Sequence, residues 1–284
     1  MRRSTVAALA VSTLALFVAS GFDWPIDGGK YRFGFGTPRG VFLRGLEFGS
    51  GDGLVRAADD GELAFVSDGP RLPGGYPLSG NSILVLAHAS DVSTIYVGME
   101  SGSISSYLKN VRRGDVLGRS PEVKAGRGTT VYAFDAKERR YINPMIIMPA
   151  QADGKAPVIK SVALSADGLE TGIDVSASVR QGTYDLLVDA YDTSPTGAQS
   201  APYDIRVIID GSERARVVYD AAWASGGVSS LFSARNLSEQ SYLAMDGRIR
   251  FGPYTFASGR VIITIIVSDY AGNRREQNYS ITVR

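Results

Sequence analysis

Ser82-Ile83-Leu84-Val85-Leu86-Ala87 decides the class of fold. It is apolar at both odd and even positions from Ile83 onward, so neither side chain face is meant for water. It is also too short for a buried helix, and such a run reads as a strand covered on both faces. Working outward, Thr94–Val97 is a second strand candidate. Gly61–Val66 is a third, opened by the turn dipeptide Asp60-Gly61. Val131–Phe134 alternates less clearly but consists largely of β formers. No amphipathic helix period stands out between Phe22 and Pro149, so this region is expected to be all-β.

A polar segment of small residues, Gln151–Ala156, lies between Pro149 and Pro157 and marks a boundary. Beyond it the strands follow a different rhythm: Val158–Leu164, Thr183–Ala190, Tyr203–Ile209, Ala215–Tyr219, Arg260–Val267 and Tyr279–Val283. Asp210-Gly211 between two of them signals a hairpin. Several short strands in a region of this size predict a β-sandwich. Residues 222–256 resist assignment and read as a long insertion, or as loops with one short helix. The expected organisation is a leader at 1–20, a first domain at 21–150, a linker at 151–156 and a sandwich at 157–284.

The leader is read from Arg2 and Arg3, the apolar run Val6–Ala19, and the small residues Ser20 and Gly21. A charged start, a short apolar core and small residues at the cut describe a secretory signal peptide. Cleavage is expected near Ser20 and would leave no membrane span; the alternative is an uncleaved membrane anchor, against which the run is shorter than the roughly 20 residues a span needs. Losing Arg2 and Arg3 takes 30 basic residues to 28 against 29 acidic ones, a net charge of −1. No basic excess remains for nucleic acid. Cysteine is absent, so neither disulfides nor a thiol-linked lipid anchor is available.

Five fragments of the first domain, taken in order, resemble the lysostaphin-type (LytM-like) zinc metallopeptidases. Phe42-Leu43-Arg44-Gly45-Leu46-Glu47-Phe48 is similar to the family's F-H-x-G-x-D-F. Val55–Leu63 is similar to its V-x-A-x-x-x-G-x-V pair. Gly80-Asn81-Ser82, through His88 to Thr94-Ile95-Tyr96, resembles G-N-x-V-x-I-x-H-x-x-G-x-x-T-x-Y. Val111–Gly118 resembles V-x-x-G-D-x-I-G, and Ile142-Asn143-Pro144 matches the family's ending. The resemblance implies a duplicated hybrid-motif β domain followed by an immunoglobulin-like sandwich. It also implies where zinc chemistry would sit, and there the residues fail. The H-x-x-x-D ligand pair falls on Leu43 and Glu47, the Y-x-H histidine on Gly98 after Tyr96, and the H-x-H pair on Val131 and Ala133. A shift of one residue in the last alignment rescues nothing, because no histidine follows position 88. Catalytic zinc needs about three protein ligands, with nitrogen or sulfur donors the norm. One histidine and no cysteine do not supply them.

No catalytic residue, metal or cofactor is therefore expected. Leu43, Glu47, Tyr96, Gly98, Val131 and Ala133 are the candidate lining of a groove that has lost its metal. Glu47 there needs a cation or hydrogen-bond donors, and Arg39 and Arg44 are the nearest sources. His88 reads as a turn histidine bonded to backbone; a triad with Ser90 and Asp91 has only sequence adjacency behind it. Asp269-Tyr270-Ala271-Gly272-Asn273 reads as a self-bonded turn, with calcium binding the lesser alternative. The expected function is that of an exported, non-catalytic pseudo-peptidase of the periplasm or envelope, binding peptidoglycan or regulating a cell-wall hydrolase. The alternatives are an active metalloendopeptidase with unusual ligands and a structural envelope protein acting through its sandwich.

Overall fold

The computed structural model describes residues 21–39, 41–49, 53–68, 82–105, 109–122, 128–174, 176–225, 228–231, 243–244 and 246–284. The leader expected at 1–20 and parts of 222–256 lie outside this set. The fold is all-β, and the only helical elements among the described residues are two short 3-10 turns, Asp27–Gly29 and Pro144–Ile146. Among the described residues, no helix is long and apolar enough to cross a membrane.

The decisive stretch forms a strand at Ser82–Ala87. It lies between Gly61–Asp68 and Val92–Val97. Thr130–Asp135 follows, pairing on one edge with Val92–Val97. Its other edge is shared by Leu46–Phe48 at one end and Arg140–Ile142 at the other. Tyr31–Phe33 adds on beside Leu46–Phe48. Leu46, Phe48, Leu84, Leu86, Tyr96 and Val131 pack into one buried cluster on one side of this sheet. Ile83, Val97 and Tyr132 form another. Both faces are thus covered, as the unbroken apolar run requires.

Residues 157–284 form two further five-stranded sheets. In one, Val158–Ala166 pairs Leu169–Gly172 and Gly182–Thr193; the long strand also takes Ile249–Phe256 and Gln199–Ser200. In the other, Gly259–Ser268 is central between Asp204–Ile209 and Arg274–Val283. Ser212–Val218 and Ser176–Val179 are its edges. Leu164, Leu186, Val188 and Phe251 of the first sheet meet Ile205, Val207, Ile263, Ile265 and Ile281 of the second in a single core, which makes the unit a sandwich. The Asp210-Gly211 turn has positive φ at both residues, 48° and 77°. That is the type I′ hairpin its dipeptide asks for, because the twist of such a turn matches that of the strands it joins.

Segment 222–256, where it is described, is mostly strand, with a turn at 246–248 and no helix. Ala221–Ser225 and Val228–Leu231 form a hairpin, and Ile249–Phe256 joins the sandwich. The hairpin does not stay with the sandwich. Ala222 pairs Tyr141 and Ala221 pairs Ile142, so the second unit extends the sheet of the first. Phe35 and Phe42 of the first unit in turn sit in the sandwich core. A Cβ on Gly36, at φ 91°, would lie 2.3 Å from the Tyr219 ring. Only a glycine allows so close an approach of the two units. Residues 151–156 are irregular and mostly exposed, yet tethered: Gln151 Nε2 donates to the carbonyls of Gly28 and Gly29 at 3.2 and 2.9 Å.

Candidate functional site

The antiparallel register decides which candidates share a face, since directly opposed residues point to the same side. Val131 lies opposite Tyr96 on one neighbour and Leu46 on the other, and Ala133 lies opposite Thr94. Tyr96, Val131 and Ala133 are each no more than 1% exposed and face the first core. Glu47 lies opposite Thr130, which lies opposite Val97. Glu47 therefore occupies the other face of the sheet, where it too is buried. Shifting the alignment by one residue would bring Thr130 and Tyr132 to the face of Glu47, and neither is an ordinary zinc ligand.

The remaining two candidates are loop residues. Leu43 follows the Val41–Phe42 strand and is half-buried; its N–H donates to the Thr37 carbonyl and its carbonyl accepts from Gly36. Gly98 ends the Val92–Val97 strand at φ 82°, with the Gly128 carbonyl 3.3 Å from where a Cβ would sit. The six do not line one concave face. Arg44 stacks its guanidinium over Tyr141 at 4.9 Å; the side chain of Arg39 lies outside the described set.

His88 is buried at the edge of Phe22. Its Nδ1 lies 2.7 Å from the Asp60 carbonyl and its Nε2 lies 2.8 Å from Thr94 Oγ1. A carbonyl can only accept, so Nδ1 carries a proton and donates to it, while Nε2 is paired with the threonine hydroxyl. Thr94 Oγ1 is also 3.2 Å from Tyr96 Oη, which accepts the Ala58 N–H at 2.9 Å. Burial is the main force pushing the Tyr96 phenol up to about 12. Both imidazole nitrogens are thus used in holding the Asp60 turn to the sheet. Asp91 is exposed at the following turn and takes no part.

A cleft of about 1350 Å³ lies between the two units. Its walls come from Gly28–Phe35, the connection 150–155, the end of the Gly182–Thr193 strand with the turn after it, and the Asp269–Ala271 turn. Asp153, Asp192 and Asp269 meet there, each offering a carboxylate oxygen within 4.8 Å of the others. It is the only group of three potential ligand side chains that close together among the described residues. Asp269 holds its own turn, accepting from Asn273 N–H and Nδ2 at 2.8 Å each. The same Nδ2 donates to the Asp153 carbonyl at 3.0 Å, pinning the connection to the sandwich. Asp192 accepts only the N–H of Thr193, at 2.8 Å. Burial, reinforced by the charges of Asp269 and Asp153 and opposed by the Thr193 amide, pushes its carboxyl up to about 7.

The self-bonded turn at Asp269 was legible in sequence; Asp153 and Asp192 were not. One signal was available for Asp192. It falls on the same parity as Leu186 and Val188, and an acid on the inward parity of a strand calls for a partner.

A protein-family model matches residues 156–284. No curated protein matches in sequence. Solved structures that are similar include the following three, all at low scores. A zinc-containing peptidase from Vibrio cholerae is 22% identical with a TM-score of 0.33, over 47% of this chain and 40% of that one. Lysostaphin is 13% identical with a TM-score of 0.34, over 84% and 94%. Dimeric latent PorU from Porphyromonas gingivalis is 14% identical with a TM-score of 0.29, over 81% and 20%. The chain therefore spans less than half of the Vibrio protein's length. Likeness at these scores says nothing about chemistry, which depends on residues at a site.

Proposed function

We propose that the protein is an exported, non-catalytic envelope protein with a lysostaphin-type first unit, and that it binds peptidoglycan or a hydrolase acting on it. One observation carries the non-catalytic reading. Where the resemblance calls for metal-binding imidazoles the chain has Leu43, Val131 and Ala133, and the last two point into a closed apolar core. Neither side chain has a lone pair for a metal, and the single histidine is committed to the Asp60 turn. Removing the ligands while keeping the sheet leaves a scaffold.

The test has two arms. Elemental analysis of the dialysed protein is expected to find no stoichiometric zinc; about one zinc per chain, or cleavage of peptidoglycan crossbridges, defeats the reading. Cosedimentation with purified sacculi and a pull-down from envelope extract then address the partner. A second reading, a structural envelope protein acting through its sandwich, is favoured by the shared sheet and core of the two units. Sandwich-dependent capture of another envelope protein, with no sacculus binding, would select it.

A further inference from the structure

The residues that follow the expected cut at Ser20 are built into the fold. Phe22 is 5% exposed, packs in one cluster with Ala58 and Met148, and meets the His88 ring edge-on at 5.1 Å. The Asp23 N–H donates to the Ala58 carbonyl at 2.6 Å. Both contacts tie the chain to the turn at 58–60, the same turn whose Asp60 carbonyl accepts from His88 Nδ1. A buried ring and a backbone bond thus fix the position of the residue ahead of them, Gly21.

Gly21 lies against Asp59. A Cβ on Gly21 would sit 3.1 Å from Asp59 Oδ2. Any side chain there would press on that oxygen, so glycine is what lets the carboxylate come close to the main chain. The Gly21 nitrogen is bonded to the same Cα and lies within about 6 Å of the oxygen. Arg113 approaches Asp59 from the other side, with Nε 3.5 Å from Oδ1, and its Nη1 is 4.0 Å from Asp23. Asp60 Oδ1 accepts the Arg113 N–H at 2.7 Å. Arg113 thus stands among three acids, and Gly21 faces the oxygen of Asp59 turned away from it.

We propose that processing of the leader installs an ion pair: cleavage of the Ser20–Gly21 bond frees a Gly21 α-ammonium that pairs with Asp59 opposite Arg113 and holds Phe22 against His88. The proposal rests on the export reading. The step is a hydrolysis catalysed by a leader peptidase. The amide bond breaks, and water gives its hydroxyl to the Ser20 carbonyl carbon and its hydrogen to the Gly21 nitrogen. The new acid then passes its proton to the new amine. Before the cut this nitrogen is a neutral amide; after it, a cation faces the carboxylate. A pair at a partly exposed carboxylate stabilises only modestly, so its effect is to fix the terminus rather than to carry the fold. Chain ends are where order ordinarily fails, and this one is tied down by charge, ring and backbone together.

Intact mass and N-terminal sequencing of the exported chain come first, and a start at Gly21 is expected. A retained leader defeats the export reading and the lock with it; a start elsewhere defeats the lock alone. The Gly21 amine is then acylated at pH about 7.5, just below the ordinary range of about 7.7–8.0 for an α-amino group, and the modified N-terminal peptide is followed by mass spectrometry. Only the neutral amine reacts, so a neighbouring carboxylate slows the reaction by favouring the ammonium. Asp59→Asn is expected to speed acylation about three- to tenfold. An alanine inserted between Ser20 and Gly21 moves the amine one residue, about 3.8 Å, along the chain and is expected to have the same effect with Asp59 intact. The insertion keeps the test decisive if Asp59→Asn fails to fold. A rate equal to that of the unmodified sequence in either variant overturns the proposal.

Discussion

The two places where this chain gathers candidate ligand positions have opposite characters. In the first sheet, Tyr96, Val131 and Ala133 are sealed in apolar surroundings, and Glu47 is on the other side of the sheet. In the cleft, three acids from separate parts of the chain meet at a solvent-lined surface. The comparison separates what each place can hold. A core accepts apolar side chains of suitable volume and leaves no room for a ligand. The two buried acids are held by hydrogen bonds, Asp192 from the Thr193 N–H and Asp269 from Asn273, since a buried carboxylate without partners is expensive.

The comparison rests on the two units being welded, and the largest effect comes from breaking that weld. Phe42→Ala removes a first-unit side chain from the sandwich core and is expected to cost about 3–5 kcal/mol. Both units should unfold together, so urea transitions followed by circular dichroism and by tryptophan fluorescence should coincide at a lower midpoint. An unchanged first-unit transition would mean the units are independent.

Placing an imidazole there attacks the sealed side directly. Val131→His places a larger, polar ring opposite Tyr96 and Leu46 and is expected to destabilise by about 2–5 kcal/mol, from overpacking and an unsatisfied nitrogen. Added zinc should not recover the loss, because Glu47 is on the far face. Recovery by zinc in a denaturation series would show a groove still able to assemble.

Two smaller changes sharpen the picture. Thr94→Val leaves His88 Nε2 without its hydrogen-bond partner in a buried position, for an expected loss of about 1–3 kcal/mol in the same assay. A change near zero would indicate that the imidazole is not committed to structure. Gly98→Ala forces a side chain into the left-handed region and is expected to cost about 1–2 kcal/mol, without altering any sacculus binding. Lost binding at unchanged stability would return the function to the strand end at Gly98.

Sequence alone determined what depends on short range and on composition. The apolar run at Ser82–Ala87 specified a buried strand, Asp210-Gly211 a type I′ hairpin, and the Asp269–Asn273 spacing a turn that closes on itself. One histidine and no cysteine were enough to argue against a conventional zinc site. Tertiary structure decided what depends on register and on the meeting of distant segments. Glu47 parts company with Val131 because adjacent strand residues point to opposite faces, and only the pairing says which residues are opposed. Residues 221–231 look undirected as a string because their partner is Arg140–Ile142 of the other unit, a non-local contact with no signal in the local pattern. Asp153, Asp192 and Asp269 are unremarkable acids in sequence. Their closeness is a product of the fold, and their shared charge exists only once the chain has brought them together.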